Sequence, residues 1–379
     1  MKVLFVLNKI PENEFDGLAR WFFNAIKPMR NLVDIIHVAG QDFGTREKFT
    51  KIIQYSDQLF IVSPISHTQY RYKWFAGWDY AKFRSYNPVF TQLLRKLCDE
   101  NSYDLIILVG HGTHVNLPYL KAKHIMVAPL DAPSGMSSMP GNLLAYTKKI
   151  LNNVVIQQSE RSYNSADSVL VVSEKDKEIL REAGVITKII INPISVDTKE
   201  FFPQNSQVQK QSILFTGVLN FQPNIDAVKH LVNDIFIPGE FHAKGIICSV
   251  AGRNPSKIIK DFNKIKGVEI FEDLPDLRPI ISNSLIYVAP MRTGLGMKYK
   301  ILEAMAMGKP IIGYPLTFNG IKNPEHFALV CQSSHEIIDA INRLSQDLSL
   351  RNDLGGKARS FVENYYSMEQ SIKTILGQT

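Results

Sequence analysis

Short runs of consecutive apolar residues alternate with longer segments of helical periodicity along nearly the whole chain. Runs without polar alternation are typical of parallel strands that are buried on both faces of a sheet. Strands separated by segments of helix length predict right-handed βαβ units and a doubly wound sheet. Twelve runs are predicted as strands: Val3–Leu7, Val33–His37, Gln58–Val62, Leu105–Val109, His124–Ala128, Ser168–Val172, Ser212–Thr216, Gly245–Ala251, Val268–Phe271, Leu285–Ala289, Pro310–Gly313 and Ala328–Val330.

The pattern is interrupted at residues 198–211, a polar stretch with one proline and neither periodicity, which is typical of a linker between domains. A chain of 379 residues is also long enough for two α/β domains. We therefore predict two Rossmann-like domains, at residues 1–197 and 212–356, that face each other across a cleft. The tail at 357–379 has helical periodicity and is predicted to cross back to the first domain. Ligands of open α/β sheets bind beyond the carboxyl ends of the strands, so we expect the active site in that cleft.

Composition indicates a globular protein of the cytoplasm. Charged residues make up 21% of the chain, and no apolar run reaches the roughly 18–20 residues that a membrane span needs. The opening MKVLFVLNKI lacks a small-residue cleavage site and is interpreted as a buried strand, not as a signal peptide. The three cysteines lie far apart without CxxC spacing, which argues against a zinc site and a disulfide framework.

The charge balance is basic, with 43 Lys and Arg against 36 Asp and Glu, a formal net charge of +7. This excess suits anionic partners, among them a nucleoside diphosphate, an acidic glycan, a phospholipid surface or nucleic acid. It is equally compatible with an ordinary solvated surface. No helix-turn-helix, zinc or RNP-type motif is found, so no specific nucleic acid is expected as a partner.

The most informative segment is YVAPMRTGLGMKYKILEAMAMGKPII, residues 287–312. An apolar strand is followed by a loop with Gly294 and Gly296 and by a strongly helical run that stops at Gly308. Glycines allow backbone N–H groups to approach an anion, and a helix start offers unpaired N–H donors with a partial positive charge. A glycine turn before a helix is a common feature, and alone it does not identify a ligand.

Charged residues around this turn strengthen the prediction of an anion site. Arg292, Lys298 and Lys300 lie in or beside the turn, where cations are unfavourable unless an anion binds. Glu303 follows in the helix, where a carboxylate can accept hydrogen bonds from the two hydroxyls of a ribose. The alternative from the residues alone is a surface Lys300–Glu303 ion pair.

The segment resembles the donor-site signature of GT-B glycosyltransferases, in the large retaining group typified by sucrose, glycogen and lipopolysaccharide synthases. Within that group it is most similar to sugar transferases of bacterial exopolysaccharide loci. The pattern falls on Pro290, Met291, Arg292, Gly296, Lys300 and Leu302–Gly308. The resemblance spans the chain, with further runs in the same order at 193–203, 215–228, 250–256, 267–279 and 365–367.

The resemblance implies transfer of a sugar from a nucleoside diphosphate sugar to a hydroxyl, with retention of anomeric configuration. Glu303 would hold the ribose, Lys300 and Arg292 the diphosphate, and Arg253 would lie near the nucleotide. The donor-binding set implied in full is Gly217, Arg253, Arg292, Gly294, Gly296, Met297, Lys298, Lys300 and Glu303. No metal and no cofactor beyond the nucleotide sugar are expected.

Two departures from the family pattern leave the sugar and the mechanism open. The wider family carries two glutamates eight positions apart, and Leu295 stands where the first would fall. The usual arginine and lysine that follow the glycine at position 217 are replaced by Val218 and Pro223. The phosphate charge would then be met by the cations of the 287–312 segment and Arg253.

The resemblance places the acceptor in the first domain. In the loop after the first strand, at residues 8–20, Gly17 and Arg20 correspond to a glycine and an arginine that face the cleft. His111 and Asp131 follow two later strands, where an imidazole or a carboxylate could orient or deprotonate an acceptor hydroxyl. Loop histidines are more often only exposed or bonded to backbone, and that alternative stays open.

Residues 69–90 are dense in aromatic and basic side chains. Such residues suit contact with a membrane surface, stacking against sugars or bases, or packing inside the first domain. Membrane contact fits the lipid-linked acceptors of many relatives, which would place the protein at the inner face of the membrane.

The sequence therefore predicts a glycosyltransferase whose partners are a nucleoside diphosphate sugar and a glycan, lipid-linked or other hydroxyl acceptor, in bacterial surface polysaccharide or glycoconjugate synthesis. Three alternatives remain: a sugar-nucleotide epimerase of the same fold, a basic nucleic-acid-binding protein, and an inactive donor-binding partner subunit.

Overall fold

The structure, a computed structural model, has two compact units. Unit 1 comprises Met1–Pro193 with Ser371–Thr379, and unit 2 comprises Ile194–Gln370. Each unit contains one parallel sheet with helices, so the α/β class predicted from the sequence is confirmed. The residues described are 1–12, 17–41, 49–65, 86–130, 157, 160–204, 211–294 and 296–377.

The sheet of unit 1 has seven strands in the order β3-β2-β1-β4-β5-β6-β7, and every pairing in it is parallel. The strands are β1 (Lys2–Leu7), β2 (Ile35–Gln41), β3 (Gln58–Val62), β4 (Tyr103–Val109), β5 (Ala122–Leu130), β6 (Ser168–Val171) and β7 (Lys188–Ile191). The helices are α1 (Gly17–Met29), α2 (Thr50–Tyr55), α3 (Pro88–Glu100) and α4 (Glu174–Glu182). The strand order runs in one direction from β1 to β3 and in the other direction from β4 to β7. Folds of this kind bind ligands at the point between β1 and β4 where the order reverses.

Both faces of this sheet are buried, which explains the continuous apolar runs. Val3, Phe5 and Leu7 of β1 lie in one core cluster with side chains of α1. Leu4 and Val6 lie in a second cluster with side chains of α3. Successive residues of a strand point to opposite faces, so a strand covered by helices on both sides must be apolar at every position.

Unit 2 has a six-stranded parallel sheet in the order β10-β9-β8-β11-β12-β13. The strands are β8 (Ser212–Val218), β9 (Ile247–Arg253), β10 (Val268–Glu272), β11 (Ile286–Ala289), β12 (Ile311–Gly313) and β13 (Ala328–Val330). The helices are α5 (Gln222–His230), α6 (Lys257–Asp261), α7 (Arg278–Asn283), α8 (Tyr299–Ala306), α9 (Ser334–Gln346) and α10 (Leu348–Tyr365). A π-helical turn, Leu231–Phe236, continues α5.

The last helix, α11 (Met368–Leu376), begins in unit 2 and ends in unit 1. Ile372 and Ile375 are buried in the same core cluster as α1. The Nδ2 atom of Asn192 donates to the Oγ atom of Ser371 over 2.9 Å, within unit 1. The residues of the predicted C-terminal segment up to Tyr365 instead lie in α10 of unit 2, with the ring of Tyr365 exposed.

Each of the twelve predicted strands overlaps a strand of the structure, but β7 was missed in the sequence. It has only four residues, lies at the edge of its sheet and pairs with β6 alone. Of its side chains only that of Ile190 is buried, so its apolar signal is short and weak. None of the described helices has the length and apolar character needed to cross a membrane.

Candidate functional site

The loop between β11 and α8 keeps the geometry that its glycines predict. Gly294 and Gly296 have φ angles of 98° and 75°, in the left-handed region that other residues adopt only with strain. Arg292 and Thr293 beside them are exposed, while Met291 is buried and anchors the loop to the core. The loop therefore presents its backbone at the carboxyl end of β11.

Helix α8 begins directly after this loop. Lys298 is its N-cap residue, and its side chain makes no capping hydrogen bond. The first N–H groups of the helix are thus left without a side-chain acceptor from the cap, and they carry the partial positive charge of a helix start. Apolar residues at Ile301, Leu302 and Met305 are fully buried and fix the helix against the sheet.

Lys300 is held by three neutral groups. Its Nζ atom donates to the Oδ1 atom of Asn224 over 2.6 Å, lies 4.1 Å from the ring centroid of Phe215 and 3.9 Å from the sulfur of Met291. Burial lowers the pKa of its ammonium to about 7, with a further decrease from the neighbouring charge of Lys298. An anionic ligand would therefore strongly stabilise the charged form of this buried ammonium.

Gly217, at the carboxyl end of β8, lies directly beneath this contact. A β-carbon there would come within 2.8 Å of the Asn224 Nδ2 atom and 3.1 Å of the Lys300 Nζ atom. Glycine leaves this space to the amide and the ammonium, which a larger residue would have to displace.

Glu303 lies one turn further along α8 and is buried, with 5% of its surface exposed. Its charge acts on two neighbours: it raises the pKa of Lys300, and it adds to the burial that raises the pKa of the Tyr287 phenol. The Tyr287 hydroxyl is joined to the Thr216 hydroxyl by a hydrogen bond of 2.7 Å. The structure thus brings Glu303, Lys300 and Gly217 together at the carboxyl ends of the neighbouring strands β8 and β11.

Lys298 has a structural contact that the sequence did not indicate. Its Nζ atom donates to the carbonyl oxygens of Leu316 over 2.7 Å and of Gly296 over 3.1 Å. Burial lowers the pKa of this ammonium to about 8. The side chain therefore connects the glycine loop to the segment after β12 and stabilises the conformation of the loop.

A cavity of about 580 Å³ lies beside Arg292. Its lining residues are His230, Met291, Arg292, Tyr314, Pro315, Leu316, Gln332, Ser333 and Ser334. The ring of His230 bonds Asp234 over 2.6 Å through Nδ1 and the Tyr314 hydroxyl over 2.8 Å through Nε2. Within the described residues, the Arg292 guanidinium makes no hydrogen bond or ion pair, so it is available to an anion.

Two further predicted donor residues lie near the same edge of the sheet. Arg253 is the last residue of β9, pairs with Val218 of β8 and is half-buried. Its carbonyl oxygen accepts from the Leu219 N–H over 2.7 Å, which joins the ends of the two strands. Met297 packs on Gly320, where a β-carbon would lie 3.3 Å from the methionine methyl group. Met297 thus supports the loop from the side of β12.

The described candidates of unit 1 lie at one edge of its sheet. Gly17 is exposed at the start of α1, Arg20 is half-buried one turn later, and His111 is exposed directly after β4. The Nδ2 atom of Asn8 donates to the His111 carbonyl oxygen over 2.6 Å and so joins the loops after the adjacent strands β1 and β4.

Three predictions lie outside the described residues: the roles of Asp131 and Leu295, and the part of the aromatic segment at residues 69–85. At the described end of that segment, Phe90 is fully buried in α3 and Val89 is exposed. In the described part of the chain, no three His, Cys, Asp or Glu residues are grouped so that they could hold a metal ion.

Asn224 is the contact residue that the sequence analysis missed. It lies in the first turn of α5, inside the run at 215–228 that carried part of the resemblance. The sequence did indicate a special role for this asparagine, which follows Pro223 as the third residue of the helix. Asparagine is uncommon in helix interiors, because its amide tends to form hydrogen bonds with nearby groups.

Comparisons with known proteins identify the fold of the chain and a family for part of it. Residues 210–347 match the family model described as Glycosyl transferases group 1. No curated protein matches the sequence. Among solved structures, HepE from Anabaena in complex with UDP has a TM-score of 0.71 at 13% identity, with 100% of this chain and 99% of HepE covered.

Two further solved structures are similar over the same length. Sucrose-phosphate synthase from Thermosynechococcus elongatus has a TM-score of 0.68 at 13% identity, covering 100% of this chain and 97% of that one. A TarM mutant from S. aureus, in complex with fondaparinux, alpha-GlcNAc-glycerol and UDP, has a TM-score of 0.69 at 12% identity, covering 100% and 99%.

Identities this low show the fold alone, and the particular likeness to exopolysaccharide-locus transferases stays a prediction. The resemblance to group 1 glycosyltransferases is confirmed by the family match in unit 2. The chain therefore has the GT-B fold of glycosyltransferases, and its residues 210–347 match the glycosyl transferases group 1 family.

Proposed function

We propose that this protein is a glycosyltransferase that moves a sugar from a nucleoside diphosphate sugar to a hydroxyl acceptor. One observation carries the proposal. The ammonium of Lys300 and the carboxylate of Glu303 lie one helical turn apart, directly after a glycine loop, within a domain that matches the group 1 family. A cation and an acidic acceptor in this order fit the diphosphate and the ribose of a nucleotide.

The donor would bind in unit 2. Glu303 accepts hydrogen bonds from the ribose hydroxyls, and each bond to a charged acceptor contributes about 1.5–3 kcal/mol. Arg292, Lys300 and the backbone N–H groups at Gly294 and Gly296 meet the diphosphate. Uridine nucleotides are the first donors to test, since HepE was solved with UDP and with UDP-glucose.

In the reaction, the bond between the anomeric carbon and the diphosphate oxygen breaks, and a bond from that carbon to the acceptor oxygen forms. The electron pair of the broken bond goes to the diphosphate, whose growing charge is stabilised by the Arg292 guanidinium, the Lys300 ammonium and the start of α8. The acceptor proton passes to the leaving phosphate or to a basic side chain. Retention of configuration and independence from metal ions belong to this proposal through the sequence resemblance.

The acceptor side would lie in unit 1. His111 and Asp131 are the proposed groups that orient or deprotonate the hydroxyl, and Gly17 with Arg20 would contact the acceptor. The exposure of His111 at the end of β4 supports this assignment. We further propose a glycan or lipid-linked acceptor of bacterial surface polysaccharide synthesis, in the cytoplasm at the inner face of the membrane, with surface contact through residues 69–90.

The first experiment combines ligand screening with product analysis. Thermal-shift measurements against UDP-, GDP-, ADP- and dTDP-sugars identify the donor, because a ligand that binds the folded state raises the melting temperature. The donor is then incubated with and without a mixture of hydroxyl acceptors. Conversion that needs the acceptor supports a transferase. Conversion of the nucleotide sugar alone would instead identify an epimerase, and stabilisation by none of the four would remove the proposal.

Three further measurements address the finer proposals. NMR of the product gives the anomeric configuration, and an inverted anomer would overturn the retaining assignment. Activity after treatment with EDTA tests metal independence, with full activity expected. His111→Ala should lower turnover and leave the Kd of the donor unchanged, and a loss of donor binding instead would remove His111 from the acceptor side.

A further inference from the structure

The amide of Asn224 joins three elements of unit 2. Its Nδ2 atom donates to the carbonyl oxygen of Val218 at the end of β8 over 2.9 Å, and its Oδ1 atom accepts from Lys300 of α8 over 2.6 Å. The residue itself belongs to α5 and is 6% exposed. Since the nitrogen is committed to a carbonyl oxygen, the oxygen must face the ammonium, and the orientation of the amide is determined.

Among the residues that the structure describes, the groups in contact with the Lys300 ammonium carry no charge. They are the Asn224 oxygen, the face of the Phe215 ring and the Met291 sulfur. These groups compensate part of the lost hydration without neutralising the cation. A carboxylate in the place of the amide would form an ion pair and would cancel most of the attraction for an anion.

On the basis of the proposed function, we propose that Asn224 is a positioning residue for the nucleoside diphosphate. Its neutral oxygen holds the Lys300 ammonium over Gly217, at the carboxyl end of β8, with the charge left for the phosphate groups. In the donor-site pattern that the sequence resembles, an arginine and a lysine follow this glycine, and Val218 and Pro223 stand in their places here. Asn224 thus directs a cation of α8 to the end of β8, from which those two cations are missing.

A pH dependence of donor binding follows from this arrangement. The titratable groups that act on Lys300 are Lys298, which lowers its pKa, and Glu303, which raises it, while burial has the largest effect and brings the pKa to about 7. A bound diphosphate favours the charged form and raises the pKa. Affinity is therefore complete below pH 7 and decreases as the pH rises above 7, because the free protein must then take up a proton to bind.

The test uses the full-length protein and calorimetric Kd values for a nucleotide sugar. UDP-glucose, GDP-mannose, ADP-glucose and dTDP-glucose are the probes, because both of their phosphates are esterified and do not titrate between about pH 6 and 8.5. Asn224→Ala should weaken binding about tenfold at pH 6.5, because the displaced Lys300 ammonium loses about one charge-assisted hydrogen bond to the phosphate groups. Asn224→Asp should weaken it at least as much and flatten the pH profile, because a paired Lys300 stays protonated.

A matched control is available within the same unit. Asn342 makes the same kind of contact, since its Oδ1 atom accepts from Lys244 over 2.9 Å, far from the glycine loop in sequence. Asn342→Asp should leave the Kd and its pH profile unchanged. Equal effects of the Asn342 and Asn224 aspartate variants would overturn the proposal, because the change would then be one of general charge.

A double-mutant cycle separates positioning from a loss of folding. In a Lys300→Met background, Asn224→Ala should have no further effect on the Kd if the amide acts through the ammonium. Additive effects would overturn the proposed role. Wild-type protein that binds none of the four probes would overturn the proposed function itself. In that case competitive acylation of Lys300, followed by mass spectrometry across pH, still reports whether Asn224 sets its pKa. A pKa unchanged in Asn224→Ala and Asn224→Asp would reject that role.

Discussion

The carbonyl oxygen of Gly217 occupies the place that a β-carbon on Gly252 would take. The two residues are register partners in β8 and β9, and an added β-carbon would lie 1.7 Å from that oxygen. Real β-carbons do not come this close to an oxygen, so the ends of the two strands can approach only because residue 252 is a glycine.

Gly252→Ala is therefore expected to lower the free energy of unfolding of unit 2 by about 1–3 kcal/mol or more, since the backbone must shift. Gly356→Ala is the control, because a β-carbon at this position of α10 meets nothing within 4 Å. Alanine is the better helix former, so the control should gain up to about 1 kcal/mol. Chemical denaturation measures both, and an equally stable Gly252→Ala protein would contradict the close approach.

Glu303→Ala is expected to weaken nucleoside diphosphate binding at least about tenfold, through the loss of hydrogen bonds to a charged acceptor. Glu303→Gln should show an intermediate loss, because an amide keeps one acceptor oxygen. The exposed Glu325 supplies the control, and Glu325→Ala should bind as the wild type does. Calorimetry is the measurement, and an unchanged Kd in Glu303→Ala would remove this residue from the site.

Lys300→Met is expected to stabilise the protein while it weakens donor binding to a Kd that is still measurable. Burial lowers the pKa of Lys300 to about 7 from an ordinary value of 10.5, so between these pH values the unfolded chain binds the extra proton. Wild-type stability therefore rises with pH across this window. The increase in the free energy of unfolding caused by Lys300→Met should be largest below pH 7 and should decrease toward pH 10.5.

The measurement for Lys300→Met is the free energy of unfolding across this pH range, compared with wild type and with Lys257→Met. Lys257 is exposed at the start of α6, and its replacement should change stability by less than about 0.5 kcal/mol. A Lys300→Met protein that is less stable than the wild type below pH 7 would show that the ammonium is not a destabilising group.

Arg359 of α10 ties the start of unit 2 to α8. Its guanidinium donates to the carbonyl oxygens of Phe201 over 2.6 Å, Ala306 over 2.6 Å and Thr198 over 2.9 Å. Arg359→Lys is expected to lower the free energy of unfolding by about 1–3 kcal/mol, because one ammonium cannot reproduce the planar fork.

Lys357→Met is the matched control for Arg359→Lys, since Lys357 makes only an exposed pair with Asp353 in the described structure. Exposed ion pairs contribute about 0–1 kcal/mol to stability, so the melting temperature of this variant should be close to that of the wild type. The measurement is thermal unfolding followed by circular dichroism. Equal melting temperatures for the two variants would mean that the three carbonyl contacts of Arg359 do not stabilise unit 2.

Local sequence was a good guide wherever a feature depends on neighbours along the chain. The strand, glycine loop and helix from 287 to 308 were predicted in the order in which they occur. The left-handed conformations of Gly294 and Gly296 agree with the expectation for a glycine turn. The position of Lys298 beside the turn was predicted, but its hydrogen bond to the carbonyl oxygen of Leu316, which belongs to another part of the chain, was not.

The sequence by itself determined the class of fold, because a strand buried on both faces must be apolar throughout and a helix must not. It also determined which segment carries the cations and the carboxylate. Only the tertiary structure decided their partners: Lys300 and Asn224 are 76 residues apart, and the Gly217–Gly252 approach depends on β8 lying beside β9. Strand order and side-chain packing are set by the whole core at once, so no local pattern encodes these contacts.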